Sequence, residues 1–112
     1  MKQITAVVRP SKVDAIKDAL VALDVVGMTI REVRGFGRQK GQIERYRGNE
    51  FTVEFIPKVS ITVVVADDKL EASISAISAA AHTGEIGDGK IFVAPVDDVM
   101  RIRTGERGPA AL

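Results

Sequence analysis

The chain has 112 residues, 46% hydrophobic and 28% charged, and sixteen Lys+Arg against fifteen Asp+Glu leave a net charge of +1. That is the size and composition of one globular domain, residues 1–112, rather than a disordered or collagen-like chain. The near-neutral balance argues against nucleic-acid binding through bulk charge, and the absence of cysteine excludes disulfides, zinc–thiolate sites and thiol catalysis.

Residues 3–8, Gln-Ile-Thr-Ala-Val-Val, are short and β-branched and are closed by Arg9-Pro10, which reads as a strand. Ser11 with Asp14 three residues on predicts a capping box. Val13, Ile16, Ala19, Leu20 and Leu23 then repeat at helical spacing, and the helix is expected to end before Gly27. Residues 28–34 read as a second strand, and Phe51, Val53 and Phe55 alternate with polar neighbours up to Pro57. The run 59–66 is the clearest strand, apolar enough to be covered on both faces. Asp68 and Glu71 mark a second helix start, with Leu70, Ile74, Ile77 and Ala81 as its apolar stripe and Gly84 as its stop. Residues 91–93 and 99–103 complete the strands.

Strand, helix, strand, strand, helix, strand is the α+β split βαβ, or ferredoxin-like, plan, here with a short extra strand at the C-terminal end. It sets an antiparallel sheet against two helices. A domain this small buries only about two thirds of its unfolded surface, so self-association is expected. The longest apolar stretch falls far short of the ~18 residues of a membrane span, and the first residues lack a signal-peptide pattern. A cytoplasmic protein is therefore expected.

One segment does not fit a compact domain. Residues 35–50 carry four glycines and little apolar periodicity, and irregular loops of this length are usually functional or disordered. From Arg34 to Glu50, five cations (Arg34, Arg38, Lys40, Arg45, Arg47) face two anions (Glu44, Glu50), a local charge of +3. Two readings stand: a solvated surface excursion, or a loop that binds a partner or is gated by a ligand.

Three further features belong together. Gly35-Phe36-Gly37-Arg38-Gln39-Lys40-Gly41 follows a strand, and its glycines let backbone approach a ligand or form an anion-holding nest. Thr83-Gly84-Glu85-Ile86-Gly87-Asp88-Gly89-Lys90 joins a helix to a strand and offers backbone N–H groups with one ammonium. Arg101 and Arg103, read as two apart on a strand, would point the same way about 6.6 Å apart. Arg38, Lys90, Arg101 and Arg103 with two flexible cradles suit a polyphosphate, provided folding or subunit packing brings them together. Neither segment is a P-loop or a dinucleotide fingerprint. Arg34-Gly35-Phe36-Gly37 matches the first half of an RNA-recognition signature, but Arg38 and Lys40 break the match and aromatic residues are scarce. The pairs Asp67-Asp68 and Asp97-Asp98 read as a helix cap and a turn. His82 reads as a helix-end residue beside the negative end of the dipole.

The segment 83–96, Thr-Gly-Glu-Ile-Gly-Asp-Gly-Lys-Ile-Phe-Val-Ala-Pro-Val, resembles the C-terminal signature of the PII nitrogen-regulatory signal proteins, the GlnB/GlnK family. Residues 33–41, Arg45-Tyr46-Arg47-Gly48 and Arg101-Ile102-Arg103-Thr104-Gly105-Glu106 resemble its other hallmarks in order, so the likeness covers nearly the whole chain. The resemblance implies a non-enzymatic sensor: a ferredoxin-like homotrimer with ATP or ADP in clefts between subunits. It also implies a T-loop, roughly 36–54, that docks on targets. By carry-over, Thr29, Gly35, Gly37 and Val64 frame the adenosine. Arg38, Gly87, Asp88, Gly89 and Lys90 of the 83–90 loop hold phosphates, joined by Arg101 and Arg103 of the neighbour's C-terminal segment, 101–112. 2-Oxoglutarate would bind through Mg²⁺ bridging it to ATP, with Gln39 supplying a metal oxygen. Lys58 would pair its distal carboxylate, and Lys40, Gly41 and Gly87 would complete that pocket.

Partner contacts fall by the same resemblance to Arg45, Tyr46 and Arg47. The implied targets are an ammonium channel, N-acetylglutamate kinase, a transcriptional regulator or a bicarbonate-related transporter. Nucleic acid is not expected as a ligand, and a membrane is expected only through a transporter partner. The chain departs from the family pattern at four places. Phe51 replaces the nucleotidylated tyrosine and Asn49 the phosphorylated serine, so no modification is expected at either. Ser11 stands where phenylalanine is usual, and Thr62 where glutamate is common beside the nucleotide. A ferredoxin-like phosphotransfer enzyme using the same cradle is the alternative, although the chain offers no activated nucleophile. An RNA-binding module is a further alternative.

Overall fold

Alternation of apolar and polar residues along Lys2–Val8 (β1) and Ile56–Val65 (β5) gives each strand one face to bury, and the two pair antiparallel with Ile4 opposite Val63 and Ala6 opposite Ile61. A computed structural model describes residues 1–37, 42–46, 49–53 and 55–112, with 42–46 and 49–53 described through their backbone. The main sheet adds Met28–Gly35 (β2) beyond β5 and Lys90–Pro95 (β6) beyond β1, in the order β2-β5-β1-β6. Every neighbouring pair is antiparallel. Helices Val13–Val21 (α1) and Leu70–Ala81 (α2) each follow a central strand, completing the split βαβ arrangement expected from the element order.

The register separates two faces. Across one run Ile30, Ile61, Ala6 and Ile91, facing the helices. The core there joins Ile4, Ala6, Val8, Val59, Ile61, Val63 and Val65 of the central strands to Ile16 and Leu20 of α1 and Ile77 and Ala81 of α2. Full burial of each large aliphatic side chain contributes about 1.5–3 kcal/mol, which is why these positions dictate the register. Across the other face run Thr29, Thr62, Thr5 and Phe92, with Arg31, Ser60, Val7 and Lys90 in the neighbouring row. Among the described residues no helix covers this second face, so within one chain β5 is buried on one side, with Thr62 and Val64 half-exposed on the other.

Several local expectations are corrected. The helix starts carry no side-chain caps from Ser11 or Asp68. Instead 3₁₀ turns, Pro10–Lys12 and Asp67–Lys69, lead into the helices, with Lys12 N–H donating to Arg9 O and Lys69 N–H to Ala66 O, both at 3.0 Å. β5 begins at Ile56 and runs through Pro57, because its first residues pair only with β2 and the missing proline N–H breaks no ladder on the β1 side. The segment read as irregular contains a hairpin, Gln42–Tyr46 (β3) against Asn49–Val53 (β4), with Tyr46 opposite Asn49. The alternation at 51–55 is therefore not one strand: β4 stops at Val53 and Phe55 sits at a bend.

The extra C-terminal strand at 99–103 is also absent. Met100 forms an isolated bridge with Arg107, and residues 102–104 turn the chain back. Arg101 and Arg103 consequently do not share a strand face. The apolar residues that suggested a strand are not paired into the sheet, and Ile102 is 96% exposed.

Candidate functional site

The loop between α2 and β6 is organised by one carboxylate. Asp88 Oδ2 accepts the backbone N–H groups of Thr83 (2.8 Å) and Gly84 (2.9 Å), while Oδ1 accepts the Thr83 hydroxyl and Arg9 Nε (3.3 Å). These donors, the Thr83 hydroxyl first, hold the Asp88 carboxyl well below the usual carboxylate range. Glu85 N–H donates to Thr83 Oγ1 at 3.1 Å, extending the knot. Two glycines make the turn possible, Gly87 at φ 108° and Gly89 at φ 100°. At Gly89 space matters as well: a Cβ would lie 1.8 Å from the carbonyl oxygen of Val7 in β1.

Arg9 is the residue that sequence reasoning missed. Sequence spacing gives it only the closing of the strand, yet its Nη2 donates to Ile86 O at 2.9 Å while Nε reaches Asp88. Arg9 thereby clamps the loop to the end of β1. The signal was available in the alternation of β1, which continues from Thr5 and Val7 to put position 9 on the uncovered face. From β5, Lys58 Nζ donates to Gly87 O at 2.7 Å. Burial, then the neighbouring Arg9 charge, pushes the Lys58 ammonium below the ordinary lysine value, with Asp88 opposing.

Lys58 and residues 85–90 of the loop border a cleft of about 490 Å³. Its floor and rim include Gly35, Gly37, Lys58, Gly87, Asp88, Gly89 and Lys90, all named from the sequence. Phe36, Ile86 and Phe92 form an apolar wall, and the Phe36 ring lies 6.1 Å from that of Phe55 at 56°. This pairs the residues on either side of segment 37–54. A glycine-shaped loop with ammonium groups beside an apolar wall suits an anion carrying a flat or aliphatic body.

Thr29 and Val64 lie elsewhere on the same sheet face. They border a second cleft of about 540 Å³ with Thr62, Asp24, Lys69 and the C-terminal Pro109, Ala111 and Leu112. Arg101 lies on a hairpin, with Nη1 donating to Glu106 Oε1 at 3.1 Å and Nη2 to Leu112 O at 3.3 Å. Arg103 is exposed on the turn. The polyphosphate set is thus only partly gathered within one chain: Gly35, Gly37 and residues 87–90 share a cleft, whereas Arg101 and Arg103 do not border it. Arg38, Gln39, Lys40, Gly41 and Arg47 lie outside the described residues, as do the side chains of Arg45, Tyr46, Asn49 and Phe51.

Residues 1–106 match the family model described as nitrogen regulatory protein P-II. The chain belongs to the P-II family. It is 57% identical to the nitrogen regulatory protein P-II of Microchaete diplosiphon, 55% to that of Azospirillum brasilense and 53% to the nitrogen regulatory protein GlnK of Escherichia coli strain K12, in each case over all 112 residues and the full length of both chains. P-II membership makes this chain a nitrogen-regulatory signalling protein, and its relatives are named as regulators, consistent with a non-enzymatic role. No helix among the described residues is long and apolar enough to cross a membrane.

Proposed function

We propose that this P-II protein senses ATP, ADP and 2-oxoglutarate in the cytoplasm and transmits their balance by docking its T-loop on target proteins. The observation that carries the reading is the cleft in which the Asp88-knotted loop, Lys58 and Gly35 meet on the uncovered sheet face. That face offers Thr5, Thr29, Thr62 and Val64 with no helix above them, which supports a homotrimer whose subunits cover one another's sheets. In that assembly Arg101 and Arg103 of a neighbour complete the phosphate site, and Thr29 and Val64 frame the adenosine with Gly35 and Gly37. Arg38 and the loop 87–90 hold the phosphates.

A magnesium ion in this scheme would take its ligands mainly from elsewhere than protein carboxylates. Among the described residues no group of three His, Cys, Asp or Glu could hold a metal, and the Asp88 oxygens are committed to four donors. Mg²⁺ characteristically takes phosphate oxygens and water with one or two protein oxygens, and Gln39 is the proposed protein donor. The ion would neutralise phosphate charge and tie a 2-oxoglutarate carboxylate to the nucleotide. Lys58 would meet the distal carboxylate, with Lys40, Gly41 and Gly87 completing the pocket.

Arg45, Tyr46 and Arg47 would contact the target, with an ammonium channel, N-acetylglutamate kinase or a transcriptional regulator as the candidate classes. Asn49 and Phe51 lack the hydroxyl that phosphorylation or nucleotidylation needs, so the switch would be set by ligands alone.

Titration calorimetry tests the scheme. 2-Oxoglutarate should bind with Mg·ATP and not with ADP, and linkage requires it to tighten ATP in return. Lys58→Met should retain ADP and lose the dicarboxylate. Equal 2-oxoglutarate binding in all nucleotide states would overturn the proposal, and a solution mass of 12.0 kDa would overturn the trimer.

A further inference from the structure

Arg101 already holds an oxyanion within the single chain. Its Nη1–Glu106 Oε1 contact is 3.1 Å, and the two side chains stay 36% and 45% exposed. The backbone sets this meeting up independently of the ion pair. Arg101 N–H donates to Glu106 O at 2.9 Å, Gly105 N–H to Arg101 O at 2.8 Å, and Glu106 N–H to Thr104 Oγ1 at 3.3 Å. Further down the hairpin, Arg107 pairs with Asp98, Met100 bridges to Arg107, and Gly108 N–H donates to Val99 O at 2.9 Å. Removing the Glu106 charge therefore leaves the turn's other ties intact.

We propose that Glu106 is an internal competitor for the Arg101 guanidinium, occupying the edge that a nucleotide phosphate would take. The inference rests on the proposed role of Arg101 in phosphate binding. A guanidinium fork donates to carboxylate and phosphate oxygens in the same planar geometry, so nucleotide binding exchanges one oxyanion for another. An exposed pair is weak enough to be exchanged. Asp88 offers the contrast, since it is held by four donors, two of them backbone N–H groups, and cannot release one partner without disturbing its loop. Glu106 thus lowers nucleotide affinity to a value the exchange sets, and Arg103, exposed on the same turn, has no such competitor among the described residues.

The test is calorimetric titration of full-length wild type, Glu106→Gln, Arg101→Ala and the double variant with Mg·ATP, with solution mass and thermal melting as folding controls. Glu106→Gln is expected to tighten ATP about two- to fivefold, the worth of one exposed ion pair. In the Arg101→Ala background the same change should have no effect, which is the non-additivity of a direct pairwise contact. If Arg101→Ala weakens ATP but Glu106→Gln leaves it unchanged or weaker, Glu106 is only a hairpin residue and the proposal is overturned. It is equally overturned if the gain persists undiminished without Arg101, because the effect is then general repulsion. Wild-type ATP affinity in Arg101→Ala would instead overturn the underlying phosphate reading. Glu106→Ala provides a second variant with the same expected sign.

Discussion

The 83–90 loop and the C-terminal hairpin 98–108 are both turns closed by carboxylates beside arginines, but they are tied in different ways. In the first, Asp88 binds two backbone N–H groups, so the carboxylate determines the path of the chain itself. In the second, backbone bonds already close the turn; Glu106 ties only the Arg101 side chain, and Asp98 takes the Arg107 side chain together with the adjacent Val99 N–H at 2.9 Å. The glycines repeat the contrast: Gly89 sits against the Val7 carbonyl, whereas nothing lies within 4 Å of a Cβ built at Gly105. A loop whose path depends on a carboxylate keeps that carboxylate in place, whereas a hairpin closed by its own backbone can let Arg101 exchange its exposed partner.

Gly89→Ala should separate the two most sharply. The substitution adds an unfavourable φ to a clash with a central strand, and a loss of about 3 kcal/mol or more is expected in urea denaturation. A loss below about 1 kcal/mol would show that the loop can lift off β1.

Next in size is the acid response. The Asp88 carboxyl is depressed in the folded chain from its ordinary 3.8, so its stabilisation is fully present above that value and is lost as pH falls toward the folded one. Stability measured from roughly pH 5 to pH 2 should fall in wild type and fall less steeply in Asp88→Asn. Asp98, depressed by Arg107, and Asp67 shift in the same direction and retain a residual slope. Identical slopes in both proteins would remove Asp88 as the loop's organiser.

Gly105→Ala, at φ 75° with open space, should cost about 1 kcal/mol from backbone strain alone. Smallest is Asp98→Asn, whose effect on the melting temperature should be slight in dilute buffer and vanish in 1 M salt, since exposed pairs are screened. A salt-independent loss would mean that the hairpin is built more like the 83–90 loop.

Both helices and the main-sheet strands through β6 were legible because periodicity reports burial directly. Ile16 and Leu20 lie on one helical face, and Ile4, Ala6 and Val8 alternate, for the same core. The same logic misread 99–103, where apolar residues fall on a turn and Ile102 is solvent-exposed. Of the paired strands 42–46 and 49–53 only the alternation at Phe51 and Val53 was legible, because Gln42, Glu44, Arg45, Asn49 and Glu50 carry no apolar alternation, and the pairing is made by backbone groups common to any sequence. In the site, Gly35, Gly87, Asp88, Gly89 and Lys90 were visible as motif residues; the β1 alternation placed Arg9 on the right face, but its partner Asp88, 79 residues away, was not legible.

The sequence by itself determined the order of the main-sheet strands and the two helices, the sheet-and-helix plan and the P-II likeness, because apolar spacing and glycine placement are local properties of the chain. Only the tertiary structure decided that Asp88 spends its oxygens on its own loop, that Arg9 clamps that loop, and that Arg101 faces Glu106. Such contacts depend on where the fold carries a donor and an acceptor, and hydrogen-bond geometry of about 3 Å between distant residues leaves no periodic trace in the chain.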